Sequence, residues 1–196
     1  MKLAIATNNK HKLQEIRAIL GDAFEEILSL DDLGISIEIE ETGSTLEENA
    51  LIKASTVSKL CNLPTLGDDT GLSVDALDGA PGVYSARFAG EEHNDKLNRQ
   101  KLLQCLENEE NREAHFSTVV ALYYPNGTFI TAKGIVKGCI LQEERGENGF
   151  GYDSVFYSYE LGETFAQASA QQKNRVSHRS RALHALLDIL RDKNNI

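Results

Sequence analysis

The chain has 196 residues, enough for one sizeable core or for one domain with two lobes. Hydrophobic residues make up 41% and charged residues 26%, an ordinary globular balance that excludes disorder except at the ends. Thirty acidic residues against twenty basic ones give a net charge of -10, and with no long basic run this excludes an extended nucleic-acid footprint.

A small phosphate ligand is not excluded, because it needs only a few local cations, a helix start and a metal. No apolar run approaches the roughly 18 residues of a membrane helix. The apolar stretch near Met1 is too short for a signal peptide. Cys61, Cys105 and Cys139 are far apart and form no CxxC, so they read as reduced, mostly buried thiols of a cytosolic protein.

Residues 2–6 (KLAIA) read as a short buried strand that stops at the polar turn Thr7-Asn8-Asn9. Residues 10–20 follow with helical spacing, Leu13, Ile16, Ile19 and Leu20 on one face, and Gly21 as the stop. Phe24 to Leu28 suggests a second strand. Ile35, Ile37 and Ile39 alternate with Ser36, Glu38 and Glu40, the two-residue period of a half-exposed strand. Thr45 and Glu48 match a capping box, and a helical pattern covers Ala50 to Leu60.

LPTL (63–66) reads as a short strand, GDDTG follows, and LSVDAL alternates again. GAPG (79–82) is a tight turn, and VYSARF a short extended segment ending in Gly90. Residues 94–107 form an amphipathic helix with Leu97, Lys101, Leu102, Cys105 and Leu106 near one another. HFSTVVALYY (115–124) is the clearest long strand, and Pro125-Asn126-Gly127-Thr128 turns it into an antiparallel return. Residues 146–157 are glycine-rich, then aromatic. Ser177 is an N-cap for a last helix, 178–191, whose Ala182, Leu183, Leu186, Leu187 and Leu190 face the core, and KNNI is a frayed tail. The elements predict one α/β domain, residues 1–196, with a long twisted mixed sheet.

Several segments carry chemistry. Thr7, Asn9 and Lys12, with Lys10 beside them, sit where a strand becomes a helix, a place suited to anions; a capped helix with solvated lysines is the alternative. No Walker A loop is present. Asp68 and Asp69 are neighbours: on a strand their side chains point opposite ways, whereas a turn brings them together. With Asp75 they are candidate ligands of a hard divalent cation, or else a solvated turn before Gly71. Glu40 and Glu41 join them only if the sheet brings them beside Asp69. Gly149 to Asp153 allows close backbone approach, and its aromatics either stack on a base or anchor the loop. Lys173, His178 and Arg179 gather positive charge around the last helix start, as phosphate or base contacts or as an exposed cap. No G-x-S-x-G elbow supports serine hydrolysis.

Taken in order, IATNNKHKLQEI, EETGSTLEENALIKA, GDDTGLSVDALDGAPGVYSARFAG, GFGYDSVF and SHRSRALHALL resemble the inosine triphosphate pyrophosphatase family, also called XTP/dITP diphosphatases, from about Lys2 to Leu190. The resemblance implies a long mixed sheet with flanking helices and two lobes around a central substrate cleft. It implies a cytoplasmic homodimer that cleaves ITP, dITP and XTP between the α and β phosphates with Mg²⁺, clearing deaminated purines from the nucleotide pool. Neither nucleic acid nor membrane is an expected partner.

The family's T/S-x-N-x-x-K motif falls on Thr7, Asn9 and Lys12, and Asn8, Lys10 and His11 lie within the same triphosphate grip. Glu41 is implied as a metal ligand, Glu40 being the alternate, and Asp69 as metal ligand and proton acceptor. Thr70 replaces the family's serine. Phe150, Gly151, Tyr152 and Asp153 match the loop near the base, and Lys173, His178 and Arg179 the remaining substrate contacts. Ser154 stands where the family often has proline and Gln167 where an acid is common, which implies a looser loop and a weaker hold on Lys173. A pyrophosphatase for another or modified nucleotide, and a nucleotide-binding protein without activity, are the rival readings.

Overall fold

A computed structural model of the chain describes residues 1–90 and 94–192; the tail expected at 193–196 lies outside them. It is a mixed α/β fold. The sheet runs β2 (Glu26–Leu28), β1 (Lys2–Ile5), β3 (Thr65–Val74), β5 (Glu113–Tyr123), β6 (Phe129–Ile140), β7 (Phe156–Ser158) and β8 (Glu163–Thr164), with β4 (Pro81–Gly82) paired to β3. β1 pairs parallel with β2 and β3, whereas β4, β7 and β8 pair antiparallel with their neighbours. The helices are α1 (Lys10–Leu20), α2 (Leu46–Cys61), α3 (Asp95–Cys105), α4 (Ala170–Val176) and α5 (His178–Asp192).

The chain divides into two compact units. The first comprises residues 1–69, 118–134 and 179 onward; the second comprises 70–117 and 135–178. In the first, the apolar faces of α1 and α5 meet the sheet: Ile16, Leu20, Leu183, Leu186 and Leu190 are buried with Leu3, Ile5, Leu66, Val120 and Leu122. That is the placement their helical period predicts. The second unit's core joins Leu72, Val74, Leu102, Phe116, Val136, Phe156 and Phe165.

Four expectations need correction. Residues 35–40 are irregular, not a strand, although Ile35, Ile37 and Ile39 do pack inward. Alternation reports only that one face is covered; it does not guarantee a paired neighbour. VYSARF is not extended but closes into a 3-10 turn over Ser85–Arg87. On α3 the buried polar residue is Asn98, which accepts from Ala89 N–H at 2.7 Å and donates to Ala86 C=O at 3.0 Å; Cys105 is exposed, and Lys101, also exposed, donates to Phe88 C=O at 2.6 Å. Cys61 and Cys139 are half-buried and Cys105 is exposed, so none of the three thiols is fully buried.

Two regions differ more instructively. The segment LPTLGDDTGLSV, read as two apolar segments with Asp68 and Asp69 between them on either a strand or a turn, is one unbroken strand from Thr65 to Val74. Helix α4 was not expected at all. Ser169 starts it with a capping box to Gln172, and the N–H of Ser177 closes it on Lys173 C=O at 2.9 Å.

Candidate active site

In the first unit the site is built at the start of α1 and around the middle of β3. Thr7 Oγ1 accepts from the N–H of Asn9 at 3.1 Å, and Asn9 Oδ1 caps α1 by accepting from the N–H of His11 at 3.0 Å and of Lys12 at 3.2 Å. The cap therefore exists, but Lys12 is not a solvated lysine. Its ammonium lies 2.8 Å from Asp68 Oδ1, and only 17% of its side chain is exposed. Burial lowers its pKa, against the pull of Asp68. Asn8 donates to Ile37 C=O at 3.2 Å, while Lys10 and His11 lie on the surface.

Because Asp68 and Asp69 lie on a strand, they face opposite ways. Asp68 is buried between Lys12 and Arg179, whose Nε is 2.8 Å from Oδ2, and Arg179 also pairs with Glu15. Burial alone would raise the Asp68 pKa, but the charges of Arg179, Lys12 and Lys53 hold it well below the usual carboxylate range. Arg179 is fully buried behind this carboxylate.

Asp69 belongs to a different set. Its Oδ1 lies 2.9 Å from the ammonium of Lys53, which also lies 2.9 Å from Glu41 Oε1. Its Oδ2 accepts from Asn49 Nδ2 at 3.3 Å, and Asn49 Oδ1 in turn accepts from Gly43 N–H at 2.8 Å. Of the two neighbouring glutamates, Glu41 turns to this cluster while Glu40 is exposed. Burial pushes the pKa of Asp69 up, only partly opposed by Lys53.

Lys53 and Asn49 were missed in the sequence. They sit four residues apart on α2, on the buried stripe that also carries Ala50, Ala54 and Val57. Polar residues within an apolar stripe were the available signal. The stripe lies close to β3 because Gly67 has no side chain: a Cβ there would be 2.2 Å from Ala50 C=O and 2.9 Å from Ala54 N.

The second unit holds the other set. Asp153 Oδ2 accepts from Phe150 N–H at 3.0 Å and from the Lys173 ammonium at 2.6 Å, and both charged side chains are buried. The same ammonium lies 4.7 Å from the centre of the Phe150 ring. Gly151 is held at both backbone atoms, by Asp95 at 2.7 Å and Arg99 at 2.8 Å. Tyr152 is an anchor: it is buried, its hydroxyl donates to Ser85 C=O at 2.8 Å, and burial raises its pKa. His178 is buried, its ring stacked 4.6 Å from Phe116. Thr70, half-buried, follows Asp69 directly on β3.

The two departures from the family pattern have partners of their own. Ser154 ties its loop down by donating to Glu144 at 2.8 Å, and Lys173 is oriented by Asp153, not by residue 167. Gln167 instead accepts from Thr164 N–H at 3.1 Å.

An α/β scaffold that carries paired carboxylates, buried lysines and a glycine-rich aromatic loop is suited to a phosphorylated ligand. The chain belongs to the Ham1 family, whose model matches residues 3–189. A dITP/XTP pyrophosphatase of Geobacter sulfurreducens is 50% identical over 191 residues, covering 96% of each chain. One from Bacillus licheniformis is 48% identical over 191 residues, covering 96% of this chain and 97% of its own. Among solved structures, the Ham1 protein of Staphylococcus aureus superposes with a TM-score of 0.87 at 40% identity, over 98% of this chain and 100% of that one. A nucleoside-triphosphatase / dITP/XTP pyrophosphatase of Mycobacterium abscessus gives 0.75 at 40% identity, over 95% and 99%.

Proposed function

We infer that this chain is a nucleoside triphosphate pyrophosphatase that hydrolyses deaminated purine nucleotides, ITP, dITP and XTP, to the monophosphate and pyrophosphate. The family and its relatives carry the substrate class. The observation that carries the chemistry is the pair Asp69 and Glu41, whose carboxylates converge on one buried cation position.

That position supports Mg²⁺ as the cofactor. A cation, the Lys53 ammonium, already stands there at 2.9 Å from each carboxylate, and the donors are the hard oxygens that magnesium takes. Among the described residues no three His, Cys, Asp or Glu side chains gather into a full protein cage, so water and the substrate's phosphates would complete the shell. Bound by Glu41 and Asp69, the ion would supply charge neutralisation at the phosphoryl oxygens.

The protein's own groups do the rest. Lys12, placed by Asp68, offsets phosphate charge. Asp69 takes the proton from the attacking water. Water adds to the α phosphorus as the bond to the β-phosphate oxygen breaks and pyrophosphate leaves. Lys173 and the backbone of 150–153 face the base, where a donor to the 6-oxo group disfavours adenine. Arg179, buried on Asp68, and His178, buried against Phe116, act through those neighbours. A substrate cleft, a homodimer and a cytoplasmic site of action complete the reading; no described helix is long and apolar enough to cross a membrane.

The test is pyrophosphate release from ITP, dITP, XTP, dATP, dGTP and dTTP, with and without Mg²⁺, by wild type and Asp69→Asn. Metal-dependent release from the first three, lost in the variant, is expected. Binding of ITP without release would make the chain a nucleotide-binding protein instead, and a preference for another nucleotide would replace the substrate.

A further inference from the structure

We propose that the Lys53 ammonium is a placeholder for the divalent cation, so that metal and ammonium compete for the same two carboxylates. This rests on the metal reading above.

The geometry is specific. One Nζ lies 2.9 Å from Glu41 Oε1 and 2.9 Å from Asp69 Oδ1, and the side chains of Lys53 and Asp69 are 9% and 8% exposed. Asp69 is buried and Glu41, 27% exposed, lies at its edge; two carboxylates on one cation position repel each other unless a cation lies between them. Lys53 supplies that cation and keeps the pair in place. A divalent ion drawn to the same oxygens meets the ammonium where it has to bind, and two cations cannot share that position.

The surroundings favour exchange over collapse. Lysine is a point charge on a flexible four-carbon stem, able to leave while its backbone stays. The backbone here is pinned, because α2 lies so close to β3 at Gly67 that a Cβ there would overlap Ala50 C=O and Ala54 N. Asp69 keeps its orientation after Lys53 leaves, since Asn49 holds its other oxygen at 3.3 Å and is itself held by Gly43 N–H. Asn49 is neutral, so it does not oppose the metal. Lys53 thus acts as a positioning residue that shapes the carboxylate pair and sets how tightly metal binds before substrate arrives.

The experiment is a Mn²⁺ titration of the full chain without nucleotide, followed by electron paramagnetic resonance. It compares wild type, Lys53→Met, Lys53→Gln, Glu41→Gln and Asp69→Asn. Competition predicts that both lysine variants bind Mn²⁺ at least about tenfold more tightly than wild type, the worth of one charge-assisted hydrogen bond removed from the competing side. The two carboxylate variants bind it more weakly.

If the carboxylate variants weaken binding but neither lysine variant strengthens it, the placeholder is wrong and the metal reading survives. If Mn²⁺ affinity ignores all four substitutions, the metal reading itself fails. Should the lysine variants not fold, a wild-type crystal structure with Mn²⁺ decides: Nζ displaced from between Glu41 and Asp69 supports the exchange, and Nζ still bridging them with the metal elsewhere overturns it.

Discussion

Asp68 and Asp69 are adjacent on β3 yet serve opposite ion-pair sets: Asp68 lies between Lys12 and Arg179, Asp69 between Lys53 and Asn49. The alternation of a strand separates them. Two strong cations depress the pKa of one, and burial raises the pKa of the other. The first is held ionised, while burial works against the charge of the second. The same substitution at the two positions therefore has different consequences.

Asp68→Asn is expected to cost about 3–5 kcal/mol at pH 7, the penalty for breaking a buried pair by removing one partner. Lys12 and Arg179 would both lose their shared carboxylate. A depressed folded-state pKa stabilises fully above the unfolded value near 3.9, and that gain is lost as the pH falls from there through the folded value. Urea unfolding should thus show a wide gap between wild type and variant at pH 7 and a narrower one at pH 3. A gap that is equal at both pH values would mean that Asp68 is not held ionised as the structure requires.

Asp69→Asn is expected to leave the fold intact and reduce turnover by roughly 10²-fold or more. Its stability cost at neutral pH should be smaller than that of Asp68→Asn. A group whose folded pKa is raised is less stabilising in its charged form, so neutralising it relieves part of the cost of burial. Steady-state pyrophosphate release and thermal unfolding of the same preparations check both halves. Near-normal turnover would remove Asp69 from the chemistry.

Most of the first unit was legible because α1 and α5 carry long amphipathic periods, which burial must follow. Residues 35–40 looked like a strand because one face is covered, and only a hydrogen-bonding partner separates the two cases. Helix α4, seven residues long with five polar ones between Ala170 and Val176, has no apolar period to read; its signal was the Ser169–Gln172 cap alone. At the site, Gly67 and Gly71 made the paired aspartates resemble a turn. Gly67 is there for a different reason, the approach of α2, which the sequence does not reveal without the fold. Lys53 and Asn49 were hidden for the same reason: their place in a buried stripe acquires meaning only when β3 puts Asp69 opposite.

Gly149→Ala tests the second set without replacing a charged residue. A Cβ there would lie 2.1 Å from Asp153 Oδ2, and the residue's φ of +78° is already unfavourable for alanine. The strain is worth about 1–3 kcal/mol. Asp153 has to turn away from Lys173 and from the Phe150 N–H, so the loop proposed to face the base loses its shape. The expected result is a KM for ITP raised several-fold, with kcat changed much less, since Asp69 and Glu41 belong to the other unit. A fall in kcat at constant KM would instead tie this loop to the chemical step.

Gly67→Ala asks whether the closeness of α2 to β3 is what assembles Asp69, Asn49 and Lys53. The added methyl would overlap backbone, Ala50 C=O at 2.2 Å, where no side chain can rotate away. The helix must therefore shift outward, and overpacking of this kind costs about 1–3 kcal/mol. The shift would lengthen the Lys53 and Asn49 contacts to Asp69 together, because both residues ride on the same helix. Turnover should fall further than the lost stability explains, so that activity stays low under conditions where circular dichroism shows the variant fully folded. If a folded Gly67→Ala protein turns over ITP at the wild-type rate, the close approach is a packing detail, and the alignment of the carboxylate with its lysine does not depend on it.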